Sequence, residues 1–490
     1  MSLITQILEI NSFSLSFLVD TIKLKKNTLT FGAMNKRLVF KIGALTYLCL
    51  FIFSIVFYKE RTVILDASFQ LFNVLKTGSF AIQVNRFGAA FTQIFPLLAS
   101  KMVLPLYQVA GAYSVGFILY YFTCFLIILF GFTSEKIALI LVLFHTLIVT
   151  HSFYWIQCEL IQGVSFTLVF IAFAEQQMQR EKINLAFYIL LPFFLITIVF
   201  FYPLLPFVLF FALIYFGIHY KSKLKFLSFL LGFYLLLYVL KITFFKTDYD
   251  TNAMDGMRNI QLLFPHYFDL PSNIHFLQYC LYDYYALPIL LVASIFFYVL
   301  RKMAAKLFLL LFFFFGFLFV VNVCFAKGAE QFYLEPQYTI LSVFLAFVIA
   351  YDILPAVQQS SLRLGIILSI VVISLARIFH THYAYTERLN WFQTVLDNTA
   401  KDEHKKIILA TSQVPMDKIK MGWGSSFEFW LLSTLETGKT RSIIIEGRPN
   451  EFDDGLHMHD SFIIQWGAYP YSDFHSPYFH FEDTTAYVKK

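Results

Sequence analysis

The chain has 490 residues, of which 59% are hydrophobic and only 14% are Asp, Glu, Lys or Arg, and its net charge is +6. Soluble domains carry about a quarter charged residues, so these few charges cannot clothe a globule of this size in water-compatible side chains. That excludes an ordinary soluble enzyme, and the small net charge, accounted for by loop clusters, excludes a nucleic-acid surface and a nucleic-acid partner.

Residues 1–38 are comparatively polar and hold Lys23, Lys25, Lys26, Lys36 and Arg37. From there to 379 the chain is dominated by apolar runs matched to a hydrocarbon core of about 30 Å, and they lack the strict alternation of barrel strands. They predict about eleven transmembrane helices, at 39–57, 108–131, 137–150, 153–174, 185–201, 203–218, 225–245, 283–300, 307–326, 336–354 and 364–379. The run 137–150 is short for a span and reads as part of a broken or tilted pair. The 62 Phe residues are read as lipid-facing and helix-packing bulk.

Alternation places Arg180/Lys182, Lys221/Lys223/Lys225 and Arg301/Lys302/Lys306 on the same side as the basic N-terminal segment. The bias of lysine and arginine toward the cytoplasm then puts 1–38 inside. The loops 58–107 and 246–282, and the tail 380–490, fall on the outer side. Region 80–106 is apolar but carries Asn85, Arg86, Gln93 and Lys101, and is read as amphipathic helices at the outer interface rather than as a span. In the tail, charges, Gly and Pro return with short β-like runs (KKIILA, RSIIIEG, SFIIQWG), which predict a small α/β domain. The expected fold is a polytopic α-helical membrane protein of the bacterial-type cytoplasmic (inner) membrane, with outer interfacial helices and an outer C-terminal domain.

Ionisable residues at membrane boundaries are costly to hold there, which makes each a candidate site. Asp66, in YKERTVILDASFQLFNVLKTG, reads as a helix N-cap or as a partly desolvated general base, two roles that are compatible. Glu159, in THSFYWIQCELIQG, faces the same side. The two carboxylates could divide base and orienting roles, or hold a divalent cation such as Mg or Mn through oxygen ligands. Alternatively, Glu159 is simply neutralised by His151 or a tyrosine. Lys76, Arg86, Arg258 and Lys327 are outer-side cations suited to a phosphate headgroup or to interfacial snorkelling, and Arg86 stands out because it follows Asp66 within one amphipathic segment. Five cysteines lack metal-ligand spacing, and His457, His459 and Asp460 have no second cluster to complete a metal site. No P-loop, GxGxxG or GxSxG element occurs.

With a first span, a long outer loop carrying an early acid, and a second acid at the next short outer turn, the layout resembles the GT-C superfamily of membrane glycosyltransferases. HSFYWIQCELIQG resembles that superfamily's acidic residue entering a span, and VFFYPLLPF its aromatic-proline outer turn. The resemblance implies transfer of a sugar from a polyprenyl-phosphate carrier to a glycan, lipid or protein acceptor at the outer leaflet. Membrane lipids and a lipid-linked sugar donor would be the partners. It implies that Asp66 activates the acceptor or helps hold a metal, that Glu159 is the second acid, and that cations such as Arg86, Lys76 or Arg258 stabilise the departing phosphate. Asp66 stands alone at its position, without an Asp-Glu or Asp-x-Asp pair. Other readings are a transporter or flippase, which would place charges deep in the spans, and a non-catalytic envelope polysaccharide assembly protein.

Overall fold

The structure, a computed structural model, describes residues 35–249, 257, 260–400, 404–447 and 457–490, and the statements below concern these. Arg258 and nearly all of segment 1–38 lie outside them. Helix α1 (Lys36–Val56) begins where the Asn35 side chain accepts the Arg37 N–H at 2.9 Å, which satisfies a donor the helix cannot. After a short turn comes α2 (Leu65–Thr77), closed by Gly78 at φ +61°, a conformation glycine adopts at no steric cost. Helix α3 (Ala90–Lys101) folds back along α4 (Leu106–Leu126). Phe95 lies on Gly116, where a Cβ would come within 2.5 Å of the ring, and Phe91 meets Tyr120 at 5.8 Å. Region 80–106 therefore holds one helix packed on the bundle, with Thr92 and Gln93 inward and Phe91, Ile94 and Leu98 exposed.

Six helices are long and apolar enough to cross a membrane: Lys36–Val56, Leu106–Gly131, Lys221–Phe244, Ala304–Cys324, Gln331–Ala356 and Ser360–Thr399. A seventh span results if Pro271–Tyr282 and Ala286–Leu300, bent by 90° at their junction, count as one. Leu185–Val199 and Leu205–His219 are apolar but shorter. The chain is thus a helical membrane protein with several passes, and fewer helices meet the length criterion than the hydropathy pattern suggests. One reason is visible at 137–150. There the helix Glu135–Phe144 has 10 residues, the chain beyond it is not helical, and Ile137 to Phe144 are all buried. This run is apolar because protein surrounds it, and buried irregular backbone is tolerated where lipid does not reach. Helix α5 (Glu159–Met178) follows it, then α6 (Gln331–Val348), which lies at the centre; the apolar window of Gln331–Ala356 is 89% buried.

One end of the bundle gathers lysines and their partners. Lys306 Nζ lies 2.6 Å from Asp352, which also accepts the Tyr215 and Tyr298 hydroxyls at 2.5 and 2.7 Å. Glu175 accepts from Ser134 and Tyr351 at 2.6 and 2.5 Å, Lys136 lies 4.6 Å over the Tyr351 ring, and Lys223 donates to the Arg180 carbonyl at 2.8 Å. At the other end the helices break. The chain between 145 and 158 turns there around Glu335, which is fully buried. Its carboxylate accepts the N–H groups of Thr150, His151 and Ser152 at 2.6, 3.1 and 2.8 Å. The Ser152 and Tyr284 hydroxyls add bonds of 2.6 and 3.1 Å, and the Thr150 hydroxyl also donates to it.

Helix α7 (Ser360–Thr399) runs unbroken for 40 residues through position 380, so the domain boundary expected there falls inside a helix. The tail then holds β1 (Lys406–Ala410), α8 (Ser425–Thr437), β2 (Ser442–Glu446), β3 (Ser461–Ile464), β4 (Gly467–Pro470) and β5 (Val488–Lys489). β1 runs parallel between β2 and β5, α8 supplies the crossover that parallel neighbours need, and β3 and β4 form an antiparallel hairpin. The described residues form one compact unit. Phe72 of α2 packs on Phe427, Trp430 and Phe462 of the tail at 4.9, 5.1 and 5.3 Å between ring centres.

Because Glu335 satisfies three consecutive N–H groups that have no other outlet, Glu335→Ala strands them in the interior. It is expected to cost about 3 kcal/mol or more. Thermal unfolding in detergent should show a clearly lower midpoint for Glu335→Ala, with Glu335→Gln, which keeps one acceptor oxygen, falling between it and the parent.

Candidate functional site

At the end opposite the lysine cluster lies a cavity of about 610 Å³. Both Asp66 and Glu159 line it, together with Arg86. Asp66 sits in the first turn of α2, but the N-cap position belongs to Ile64. Its carboxylate instead accepts the indole N–H of Trp155 at 3.1 Å. The cap reading is thereby set aside. Glu159 opens α5, where its Oε2 accepts Arg86 Nη1 at 3.2 Å and its Oε1 accepts the Gln157 amide at 3.1 Å. Gln157 is held in turn by the Tyr113 hydroxyl at 2.6 Å. His151, the other candidate partner for Glu159, lies 3.2 Å from the Tyr385 hydroxyl.

Arg86 also stacks over Tyr202 and Tyr249, at 4.5 and 5.2 Å from the ring centres, a cation–π arrangement that suits a planar guanidinium. It is the one cation among the described residues that line the cavity. Lys76 is elsewhere: its ammonium lies 3.6 Å over the Tyr469 ring and 3.9 Å from Asp473, on the face of the tail hairpin. Lys327 is exposed and does not line the cavity. Arg258 lies outside the described residues. Of the three described cations expected to meet a phosphate, the geometry brings Arg86 alone to the two carboxylates.

The remaining lining is neutral. Gln70, Gln83, Gln157 and Gln337 offer amides, and Phe69, Trp155, Tyr202, Tyr249, Tyr333, Trp423 and Trp466 offer ring faces. Trp155 stacks on Tyr333 at 5.3 Å, and Trp423 and Trp466 lie 5.9 Å apart. The tail thus completes the wall through Trp423, from the approach to α8, and Trp466, from the hairpin turn, the latter 56% exposed. None of these aromatics stands out in a sequence with so many rings. Amides and flat apolar faces together suit a hydroxylated, partly apolar ligand.

Backbone strain gathers here. Leu65 has φ +31°, Val84 +43° and Asn85 +59°, all in the left-handed region that non-glycine residues rarely enter. Each such residue costs on the order of 1–3 kcal/mol and persists only where its surroundings enforce it. One immediately precedes Asp66, and the other two immediately precede Arg86.

Asp66 opens onto the cavity rather than onto bulk water. Burial, first, and the neighbouring Glu159 carboxylate, second, raise its proton affinity to a pKa of about 7, against the partial opposition of Trp155 and Arg86. As to a metal, among the described residues no group of three or more His, Cys, Asp or Glu is placed to hold one. Asp66 and Glu159 are the carboxylates that line the cavity, with glutamine amides beside them, and Glu159 is paired with Arg86. The chemistry proposed below draws on protein side chains alone.

A carboxyl whose folded pKa is about 7, against 3.8 for the ordinary group, favours the folded state while it is protonated. That contribution is complete below the ordinary value and is lost as pH rises through about 7. Asp66→Asn removes the loss. Between pH 5 and 8 the parent should therefore lose stability relative to Asp66→Asn by at most about 2–3 kcal/mol, with cavity water reducing the figure. Thermal unfolding of both proteins across that range is the check, and parallel curves would refute the assignment. No protein-family model matches this chain, and neither a curated protein nor a solved structure matches it.

Proposed function

We propose that the protein is a membrane glycosyltransferase of the GT-C type. It moves a sugar from a polyprenyl-phosphate carrier to a hydroxyl-bearing acceptor at the outer face of a bacterial-type cytoplasmic membrane. The observation that carries this reading is the convergence of Asp66, Glu159 and Arg86 on one cavity walled by amides and aromatic rings. A base, a phosphate-binding cation and a saccharide-compatible wall are the parts that such a transfer needs, and no nucleotide-binding loop is required.

In the reaction, Asp66 takes the proton of the acceptor hydroxyl as its oxygen attacks the anomeric carbon. The bond from that carbon to the carrier phosphate breaks, and the electron pair leaves with the phosphate. A carboxylate with a pKa of about 7 is matched to this task near neutral pH. Arg86 meets the growing phosphate charge, and Glu159 with the Tyr202 and Tyr249 rings holds the guanidinium ready for it. A preorganised cation of this kind needs no reorientation during the step.

The topology that goes with this reading has about eleven passes, one of them the short buried helix Glu135–Phe144 with its non-helical continuation. The lysine-rich end faces the cytoplasm by the bias of basic residues. The cavity and the tail, which acts as a small α/β domain, are then outside. The cavity's position at the end remote from the basic cluster supports this. It also favours interfacial chemistry over a transport path, which would need its polar groups at the midplane.

Three substitutions separate the roles. With a polyprenyl-phosphate sugar and membranes containing the protein, Asp66→Asn should lower the transfer rate by about 10² or more. Arg86→Met should lower it by a similar order, because a phosphate-directed cation acts mainly in the transition state. Lys327→Ala, at an exposed side chain outside the cavity lining, should leave the rate unchanged. Full transfer by Asp66→Asn would rule out this chemistry.

A further inference from the structure

The residue before Asp66 is held in place by the tail. Leu65, at φ +31°, donates its N–H to Glu428 Oε1 at 2.6 Å. Glu428 is fully buried and is paired with Arg388 Nη2 at 2.5 Å. Arg388 Nη1 donates to the Val63 carbonyl at 3.0 Å, and its Nε to the Ile419 carbonyl at 3.2 Å. The ion pair therefore grips the chain on both sides of Ile64, through the carbonyl of residue 63 and the N–H of residue 65. From the same direction Gly424 presses on the turn: a Cβ there would lie 2.8 Å from Leu65 Cα. Neither Arg388, Glu428 nor Gly424 lines the cavity.

A Val-Ile-Leu run has no preference of its own for a left-handed residue, since branched side chains clash with the backbone in that conformation. A buried ion pair, for its part, seldom adds net stability over an apolar packing of the same volume. What this pair supplies is geometry. It anchors the chain immediately before the first turn of α2, the turn from which the Asp66 carboxylate reaches the Trp155 indole.

We propose that Glu428, supported by Arg388, is a positioning residue for Asp66: by enforcing the rare conformation at Leu65 it aims the Asp66 carboxylate at Trp155 and Glu159. The proposal rests on Asp66 being the reactive carboxylate of the transfer reading. It makes the tail part of the reactive apparatus rather than an appendage.

The test reads Asp66 directly and needs no sugar donor. The full chain in detergent is treated with a carbodiimide, which labels protonated carboxyls, across pH 4 to 9, and labelling at Asp66 is quantified by peptide mapping. The charged groups facing Asp66, Glu159 and Arg86, stay in place in every variant. In Glu428→Ala the midpoint should fall by about one pH unit or more, as the carboxyl drifts from Glu159 toward water. Glu428→Gln keeps an acceptor oxygen for the Leu65 N–H and should restore the midpoint to within about 0.3 unit of the parent. Gly424→Ala displaces Leu65 without removing any charge and should lower the midpoint as well, so it decides the matter where Glu428→Ala does not fold. Transfer, in parallel, should fall roughly tenfold or more in kcat for the two displaced variants, with little change in donor KM.

An Asp66 midpoint that stays at the parental value in folded Glu428→Ala or Gly424→Ala overturns the proposal. A midpoint that moves as expected supports it even where the parent protein itself transfers no sugar. That second result would count against the transfer reading alone.

Discussion

The arrangement at the cavity depends on the buried carboxylate of Glu335 and the turn it gathers. Helices of a membrane bundle satisfy their own backbone, and a break between two of them exposes N–H groups that lipid cannot accommodate. Glu335 absorbs those of Thr150, His151 and Ser152 from the neighbouring α6, and so pins the segment that leads into α5. Along that segment stand Trp155, Gln157 and Glu159, which hold Asp66 and Arg86. A carboxylate that touches neither Asp66 nor Arg86 thus sets where both find their partners.

The bundle is unequal at its two ends in a way that composition alone does not convey. At the lysine-rich end, acids and bases are closed into short, mutually satisfied contacts such as Lys306 with Asp352 and the tyrosines around it. At the cavity end the polar groups face an open space, and the backbone beside them is held in rarely occupied conformations. Satisfied polar networks rigidify a fold, whereas polar groups left facing a cavity are available to something that enters it.

What could be read in advance follows the same division. In a chain this poor in charge, Asp66, Glu159 and Arg86 are conspicuous because an ionisable group near lipid is expensive to keep, and the cavity collects all three. Lys76 and Lys327 were equally conspicuous by that criterion, but a lysine on a long stem can settle on an aromatic face or in water, and these two do. The aromatic and amide lining was hidden by abundance, since one tryptophan or glutamine looks like any other until the fold selects it. Glu428 and Arg388 were hidden for the opposite reason: they lie in a tail of ordinary composition, where charges are expected on the surface, and only their burial marks them. That the ten-residue helix at Glu135 is wrapped by protein was not legible, because apolar periodicity does not distinguish a side chain facing lipid from one facing other helices.

Helix α7 has a mechanical meaning beyond its place in the sequence. Forty residues at 1.5 Å each make a rod of about 60 Å, close to twice the thickness of a hydrocarbon core. It begins beside the basic end and delivers Arg388 to the turn before Asp66, after which the strands of the tail begin. A rod of fixed length acts as a gauge: it sets how far along the bundle Arg388 reaches the turn before Asp66. That reach is measured out in helical pitch, about 5.4 Å at a time.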